Sequence, residues 1–234
     1  MNAQQQRLNA IANDLANANT TGYKHMRIGF RDLVYQQAGT GSAQGVRTGS
    51  GAAAVDVGRG FAQGSMQRTD RPLDVAVQGE GFLRVRLADG REGLTRDGGL
   101  HADGQGRLVT STGAFVQPPM TIPRDVAEED IHISDQGDVK AGARTLGRID
   151  LITVRSPQGL QSVGDNTFVT TEASGRAQRA PAATTLEQGA LEASNVEMAE
   201  AMTAMVEAQR SYELASKAIQ TADQMMEIAN GVKR

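Results

Sequence analysis

The chain has 234 residues, 39% of them hydrophobic, and carries 24 Lys plus Arg against 27 Asp plus Glu for a formal charge of −3. That length can bury one sizeable core or two small ones. The absence of Cys excludes disulfides, thiolate metal sites and thiol nucleophiles, and without a basic excess no nucleic-acid partner is expected. Gly accounts for 27 residues, well above the average of roughly 7%, so the middle of the chain should be rich in turns between short strands. No run approaches the ~20 apolar residues of a membrane-spanning helix. The opening Met1-Asn2-Ala3-Gln4-Gln5-Gln6-Arg7 lacks the apolar core of a secretory signal, so neither membrane insertion nor Sec export is expected.

At the N-terminus Met1, Leu8 and Leu15 recur in heptads, with Ile11 and Ala18 at the intervening apolar positions and Gln4 as the polar exception. This spacing predicts a packed helix of about 18 residues, closed near Asn19-Thr20-Thr21-Gly22, where Gly can take the left-handed conformation. From Tyr23 to Gln37 the spacing of Met26, Phe30, Leu33 and Val34 suggests a short helix or an irregular packed arm. Residues 38–60, dominated by Gly, Ala, Ser and Thr, bury little and read as a linker or contact loop.

Strand signals follow at Leu73–Val77, Phe82–Leu87, Arg107–Thr110, Ile131–Ile133, Arg148–Val154 and Thr167–Thr170. Between them lie Asp89-Gly90, Asp97-Gly98, Asp103-Gly104 and Gln136-Gly137, pairs favoured where both central residues of a hairpin turn need positive φ. Pro118, Pro119, Pro123 and Pro157 fall outside the strand runs, as backbone pairing requires. An antiparallel β-rich middle domain is therefore expected over 61–180, followed by a return linker at 181–193.

The strongest pattern is C-terminal. Ser194-Asn195-Val196-Glu197 has the form of a capping box. Met198, Met205, Tyr212, Ile219 and Met226 then recur in heptads, each followed three residues later by Ala201, Ala208, Ala215, Ala222 and Ala229. Such a large/small alternation is a coiled-coil seam in which Ala allows backbones to approach. A helix over 194–230 spans roughly 55 Å at 1.5 Å per residue, too long to be covered by the chain's own β domain or by an 18-residue N-terminal helix. Burying five large seam residues at ~1.5–3 kcal/mol each is of order ten kcal/mol, available only when a facing surface is present. The fold class is thus α+β: N- and C-terminal helices forming a coiled-coil-like pair, with an inserted antiparallel β-rich domain. Residues 1–37 and 194–234 form the inner helical domain, and copies from other subunits complete the burial of Leu8, Ile11, Leu15 and the C-terminal seam.

Several segments together resemble the flagellar basal-body rod and hook family. Ala12-Asn13-Asp14-Leu15-Ala16-Asn17-Ala18-Asn19-Thr20-Thr21-Gly22-Tyr23-Lys24 is similar to its N-terminal signature, with Ala12, Asn13, Leu15, Asn17, Thr21, Gly22 and Lys24 at matching positions. Asp74–Phe82 and Leu94–Gly98 resemble its β-domain motifs. Gln188–Val196, with Ser194 and Asn195, and Ala208–Glu213, with Gln209 and Arg210, resemble its C-terminal region. One intermediate-sized β insert is most similar to the distal rod members, with a proximal rod or hook-related subunit as the alternative.

The resemblance implies a non-enzymatic subunit located in the basal-body rod that crosses the periplasm. It would be exported by the flagellar type III apparatus without a cleaved signal. Its partners would be copies of itself and other rod and hook subunits, in a helical shaft that transmits torque. Two features depart from the family: the first helix opens abruptly at Met1, and the stretch 38–57, which carries a subunit-specific arm in other members, is short and Gly-rich.

Competing chemistries find little support. His25, His101 and His132 each lack a carboxylate at metal-ligand or triad spacing. Asp103-Gly104-Gln105-Gly106 lacks the alternating carboxylates and closing Glu of a calcium loop. Gly79-Glu80-Gly81 precedes a strand where a nucleotide site requires a helix, and Asn19-Thr20-Thr21 is better explained as a helix end than as a glycosylation acceptor. No catalytic, metal or cofactor site is therefore expected. A wall-polymer binding module remains a different class of reading, poorly supplied with aromatics: only Phe61, Phe82, Phe115 and Phe168 fall in the β region.

Overall fold

The computed structural model describes residues 2–32, 36–37, 47–48 and 52–231. Met1, Leu33, Val34, the Gly-rich residues 38–46 and 49–51, and the side chain of Ala229 lie outside the described residues. The fold is α+β and divides into two compact units. The first comprises residues 1–16, 26–57 and 197–234, and the second residues 17–25 and 58–196.

In the first unit helix α1 spans Asn2–Ala16 and helix α2 spans Met198–Gly231. α1 ends earlier than the heptads suggest. Asn17, a weak helix former that competes for backbone groups, turns the chain: its carbonyl accepts the Thr20 N–H at 3.0 Å and its side chain the Thr20 hydroxyl at 3.2 Å. The stretch after His25 is not a helix. Met26–Asp32 is a strand paired with Ala52–Arg59, and Gln36–Gln37 pairs antiparallel with Arg47–Thr48. The alternation Met26, Ile28, Phe30 against Arg27, Arg31 is the period-two signal that the wider spacing obscured. α2 starts four residues later than the capping-box reading. Its first turn is closed by the Ala201 N–H donating to the Glu197 carbonyl at 2.9 Å, whereas the Ser194 hydroxyl accepts the Val196 N–H at 3.2 Å and caps nothing in the helix.

The second unit is β-rich, and its pairs are antiparallel. Its largest sheet runs in the order Gln161–Gly164, Thr167–Val169, Glu92–Thr95, Phe82–Arg86, Phe115–Val116, Leu108–Thr110, Leu100–Ala102. Leu151–Thr153 joins Phe82–Arg86 on one side and Gln178–Arg179 on the other. Ile131–Ile133, Asp138–Ala141 and Arg144–Arg148 form a second sheet. The single strand expected at 148–154 is therefore two. They are separated at Asp150, whose N–H donates to the Gln117 carbonyl at 3.2 Å and whose carbonyl accepts the Arg84 N–H at 3.3 Å.

The expected return linker is also structured. Thr185–Gln188 pairs with Val75–Gln78, and Ala190–Glu192 with Met66–Arg68, the two strands being divided by Gly189 at φ +73°. The main apolar core joins the sheets through Val75, Val77, Leu83, Leu100, Ile131 and Leu186. Beside it Phe61 meets Phe82 and Phe168 edge-on, with centroids 5.3 and 5.1 Å apart.

Four hairpin turns share a pattern that differs from the expected pair of positive φ angles, a pair found instead at Asp165-Asn166 between Gln161–Gly164 and Thr167–Val169. In Leu87–Arg91, Asp103–Arg107, Thr110–Ala114 and Ser134–Asp138 the first residue's carbonyl accepts from the fourth residue's N–H at 2.8–2.9 Å, and its own N–H donates to the fifth residue's carbonyl at 2.9 Å. Only the fourth residue, Gly90, Gly106, Gly113 or Gly137, has positive φ. This is a type I turn closed by a bulge glycine. Asp97-Gly98 is no turn at all: a Cβ on Gly98 would lie 1.6 Å from the Val75 carbonyl oxygen, so glycine there permits close strand approach.

Candidate functional site

In the first unit the heptad positions of α2 experience different surroundings. Ala208 is fully buried at 0% exposure, and Ala201, Met205, Tyr212, Ala215 and Ala222 are half-buried, whereas Met198, Ile219 and Met226 are exposed. α1 has 15 residues and α2 has 34, lengths of ~22 and ~51 Å at 1.5 Å per residue, so α1 can cover less than half of its partner. α1 buries Ala3, Ala10 and Asp14. Arg7, on the same stripe, reaches Glu207 of α2 at 3.7 Å. Small residues on this stripe let the helices come close, and the Asp14 carboxylate accepts the Met26 N–H at 3.0 Å. Leu8, Ile11 and Leu15 lie on the adjacent face and are half-buried.

A second apolar set on α2 lies outside those heptad positions. Met202, Val206, Leu214, Met225 and Ile228 are exposed, Leu214 to 69%. Thr203, Val206, Arg210 and Leu214 line a shallow depression of about 390 Å³. The motif residues Ala12, Asn13, Gln209 and Arg210 are on exposed parts of the two helices.

The second unit contains a buried charge cluster assembled from distant parts of the chain. Lys24 and Glu192 are both wholly buried, with Nζ donating to Oε1 at 2.6 Å. Lys24 Nζ also donates to the Ala62 carbonyl at 2.7 Å. Arg96 donates from Nη1 to Glu192 Oε2 at 2.9 Å and from Nη2 to the Gly79 carbonyl at 2.7 Å, and the Gly64 N–H donates to Glu192 Oε1 at 2.8 Å. Loss of hydration pushes the Lys24 amine below its ordinary value, and the Arg96 charge adds to this, while the Glu192 carboxylate pulls the other way. The Arg96 guanidinium lies 5.5 Å from the Phe82 ring centroid.

The remaining signature residues surround this cluster. Gly22, at φ +67°, donates its N–H to the Glu192 carbonyl at 2.8 Å, and a Cβ there would sit 2.6 Å from the Asp97 nitrogen, so both backbone angle and space demand glycine. The Thr21 hydroxyl donates to Asp97 Oδ1 at 3.1 Å, and its carbonyl accepts Asn166 Nδ2 at 2.8 Å. Asn195 Oδ1 accepts the His25 N–H at 2.9 Å, while Nδ2 donates to the carbonyls of Gly60 at 2.7 Å and Ala62 at 3.0 Å. Asn17 and Ser194 belong to the same unit. Thr21, Gly22, Lys24 and Asn195 are thus held by bonds within the second unit that link the 21–25 segment to Asp97, Glu192 and the 60–62 loop.

Sequence reasoning left Arg96 and Glu192 without roles, although both stand within the recognised motifs. They are 96 residues apart, and no local spacing reports such a pairing; the one signal is a carboxylate set between Leu191 and Ala193 in a strand. Among the described residues no group of three or more His, Cys, Asp or Glu could hold a metal ion.

Residues 1–24 match the family model described as flagella basal body rod protein, residues 76–141 the flagellar hook protein FlgE/F/G D1 domain, and residues 187–232 the flagellar basal body rod FlgEFG protein C-terminal region. The chain is 41% identical to the flagellar basal-body rod protein FlgG of Borreliella burgdorferi, covering 100% of this chain and 96% of the relative. It is 40% identical to that of Caulobacter vibrioides over the same shares, and 38% identical to that of Buchnera aphidicola from Acyrthosiphon pisum over 97% and 94%. The chain belongs to the FlgG family of flagellar basal-body rod proteins. It is a structural subunit of the basal body and not an enzyme.

Proposed function

We propose that the chain builds the distal part of the rod as a helical homopolymer. In this reading α1 and α2 form a coiled-coil-like inner core with the same helices of neighbouring copies, and other rod and hook subunits continue the stack above and below. Leu8, Ile11, Leu15 and the seam Met198, Ala201, Met205, Ala208, Tyr212, Ala215, Ile219, Ala222, Met226 and Ala229 are its packing residues. Family membership supports delivery by the flagellar type III export apparatus without a cleaved signal.

The observation that carries the reading is the series of large apolar side chains left exposed along α2 from Met198 to Ile228, on the seam and beside it. Burying a large apolar side chain is worth ~1.5–3 kcal/mol, and among the described residues of α2 eight large apolar side chains are 44–69% exposed. Neighbours that cover these side chains would collect much of that free energy. Torque transfer follows physically, because close-packed contacts along a helical stack must slip together before the shaft twists.

Met226→Glu tests the reading, since Met226 is a seam residue left 69% exposed in the single chain. The variant is expected to keep the monomer's melting curve and to lose rod formation and motility in cells that lack the native chain. Normal rods built from Met226→Glu would refute the proposed packing face.

A further inference from the structure

We infer that residues 184–196 are a clasp on which closure of the whole β unit depends, so that the unit stays open until this late segment is delivered. The segment is threaded through the unit. Thr185–Gln188 supplies the partner strand of Val75–Gln78, and Ala190–Glu192 that of Met66–Arg68. Leu186 enters the main core beside Val75, Val77 and Leu83. The Gln188 side chain bonds the Pro72 and Ile131 carbonyls at 2.7 Å each and the Ile133 N–H at 3.0 Å, tying two sheets together. Glu192 lies between Lys24 and Arg96, and Asn195 holds His25, Gly60 and Ala62. These side-chain partners precede the clasp by 55 to 170 residues.

Removing this segment in thought leaves three defects together. Lys24 and Arg96 become neighbouring buried cations with no carboxylate between them, a far worse state than the paired one. Two strands lose their partners and leave backbone groups to be satisfied by water. The site of Leu186 becomes a void in the core. A domain's stability is a small difference between large opposing quantities, and these defects fall together on one unit. A chain that emerges N-terminus first, from a ribosome or an export channel, therefore presents its first 183 residues before the unit can close. The consequence for function is a chain that remains threadable until nearly all of it has passed. It concerns the single molecule and holds whatever the helical faces assemble with.

Pulse-labelled hydrogen exchange during refolding of the full chain tests the inference. Phe82–Arg86, Glu92–Thr95 and Leu108–Thr110 pair with strands other than the clasp. Their amides are nevertheless expected to gain protection at the same rate as those of 185–192. Protection of these strands in an earlier phase overturns the clasp. Glu192→Gln, which keeps the side chain's shape and removes its charge, gives a second reading at equilibrium. Opening of Phe82–Arg86 and Glu92–Thr95 is expected to rise about 100-fold or more. A loss of protection confined to residues 190–193 counts against it.

Discussion

Two glutamates in this chain form ion pairs of the same chemistry with opposite consequences. Glu192 meets Lys24 and Arg96 where side-chain exposure is between 0 and 3%, whereas Glu207 meets Arg7 at 3.7 Å with most of its side chain in water. The first is a requirement of the β unit's interior, because charges removed from water are tolerable only while each has its partner. The second is an ornament of the helical surface, weakened by solvent and salt. The β unit is therefore finished within one chain, while α2 leaves large apolar side chains such as Leu214 and Met226 exposed.

The largest expected effect comes from breaking the interior cluster. Glu192→Ala leaves two buried cations unpaired and should lower unfolding stability by roughly 3–5 kcal/mol, whereas Glu207→Ala should change it by under about 1 kcal/mol. Urea unfolding of the two variants, followed by circular dichroism, measures the contrast, and equal losses would remove the distinction. Next comes Ala208→Glu. Ala208 has no exposure even in the isolated chain, so a longer charged residue must push the helices apart, with overpacking alone at about 1–3 kcal/mol. Ala208→Glu is expected both to block rod assembly and to destabilise the helical unit, whereas Met226→Glu should only block assembly, and the two melting curves separate the effects.

A smaller effect sharpens the same comparison through pH. The Lys24 amine sits below its ordinary value because it is desolvated, so the folded chain binds this proton less tightly than the unfolded one. Below the lowered value both states are protonated and the burial cost is fully present. As pH rises from the lowered value toward 10.5, the folded amine loses its proton first, and stability gained from this group increases. Wild type is therefore expected to gain stability relative to Lys24→Met over that alkaline window; a constant difference across it would contradict the shift.

What was readable in the sequence follows from how local each cause is. The heptads of α2 and the apolar-polar runs of Phe82–Arg86 and Ile131–Ile133 are periodic, so their secondary structure is visible within a few turns or residues. Met26–Asp32 was concealed because residues four apart can be mistaken for a helical face when the alternating arginines are overlooked. Thr185–Gln188 was concealed for another reason: Leu186 is a single inward apolar residue, and only the distant strand Val75–Gln78 makes it part of a sheet. The candidate site divides likewise. The apolar character of α2 is local, but which positions α1 covers is not: Ala3 and Ala10 occupy the buried stripe, while the larger Leu8, Ile11 and Leu15 stay half-buried.

The smallest effect concerns a glycine that looks like a turn residue and is not the one under demand. In Asp103–Arg107 the sequence draws the eye to Asp103-Gly104, yet the positive φ of +80° belongs to Gly106, where a Cβ would also fall 2.5 Å from the Ile122 carbonyl oxygen. Gly104 has ordinary φ and nothing within 4 Å of an added Cβ. Gly104→Ala should therefore stabilise by about 0.4–1 kcal/mol, by reducing the freedom of the unfolded chain without straining the folded one. Gly106→Ala should destabilise by more than that, because both its backbone angle and its neighbour oppose a side chain. Thermal melts of the two variants should shift in opposite directions; a destabilised Gly104→Ala would place the left-handed residue of this hairpin at the Asp-Gly pair after all.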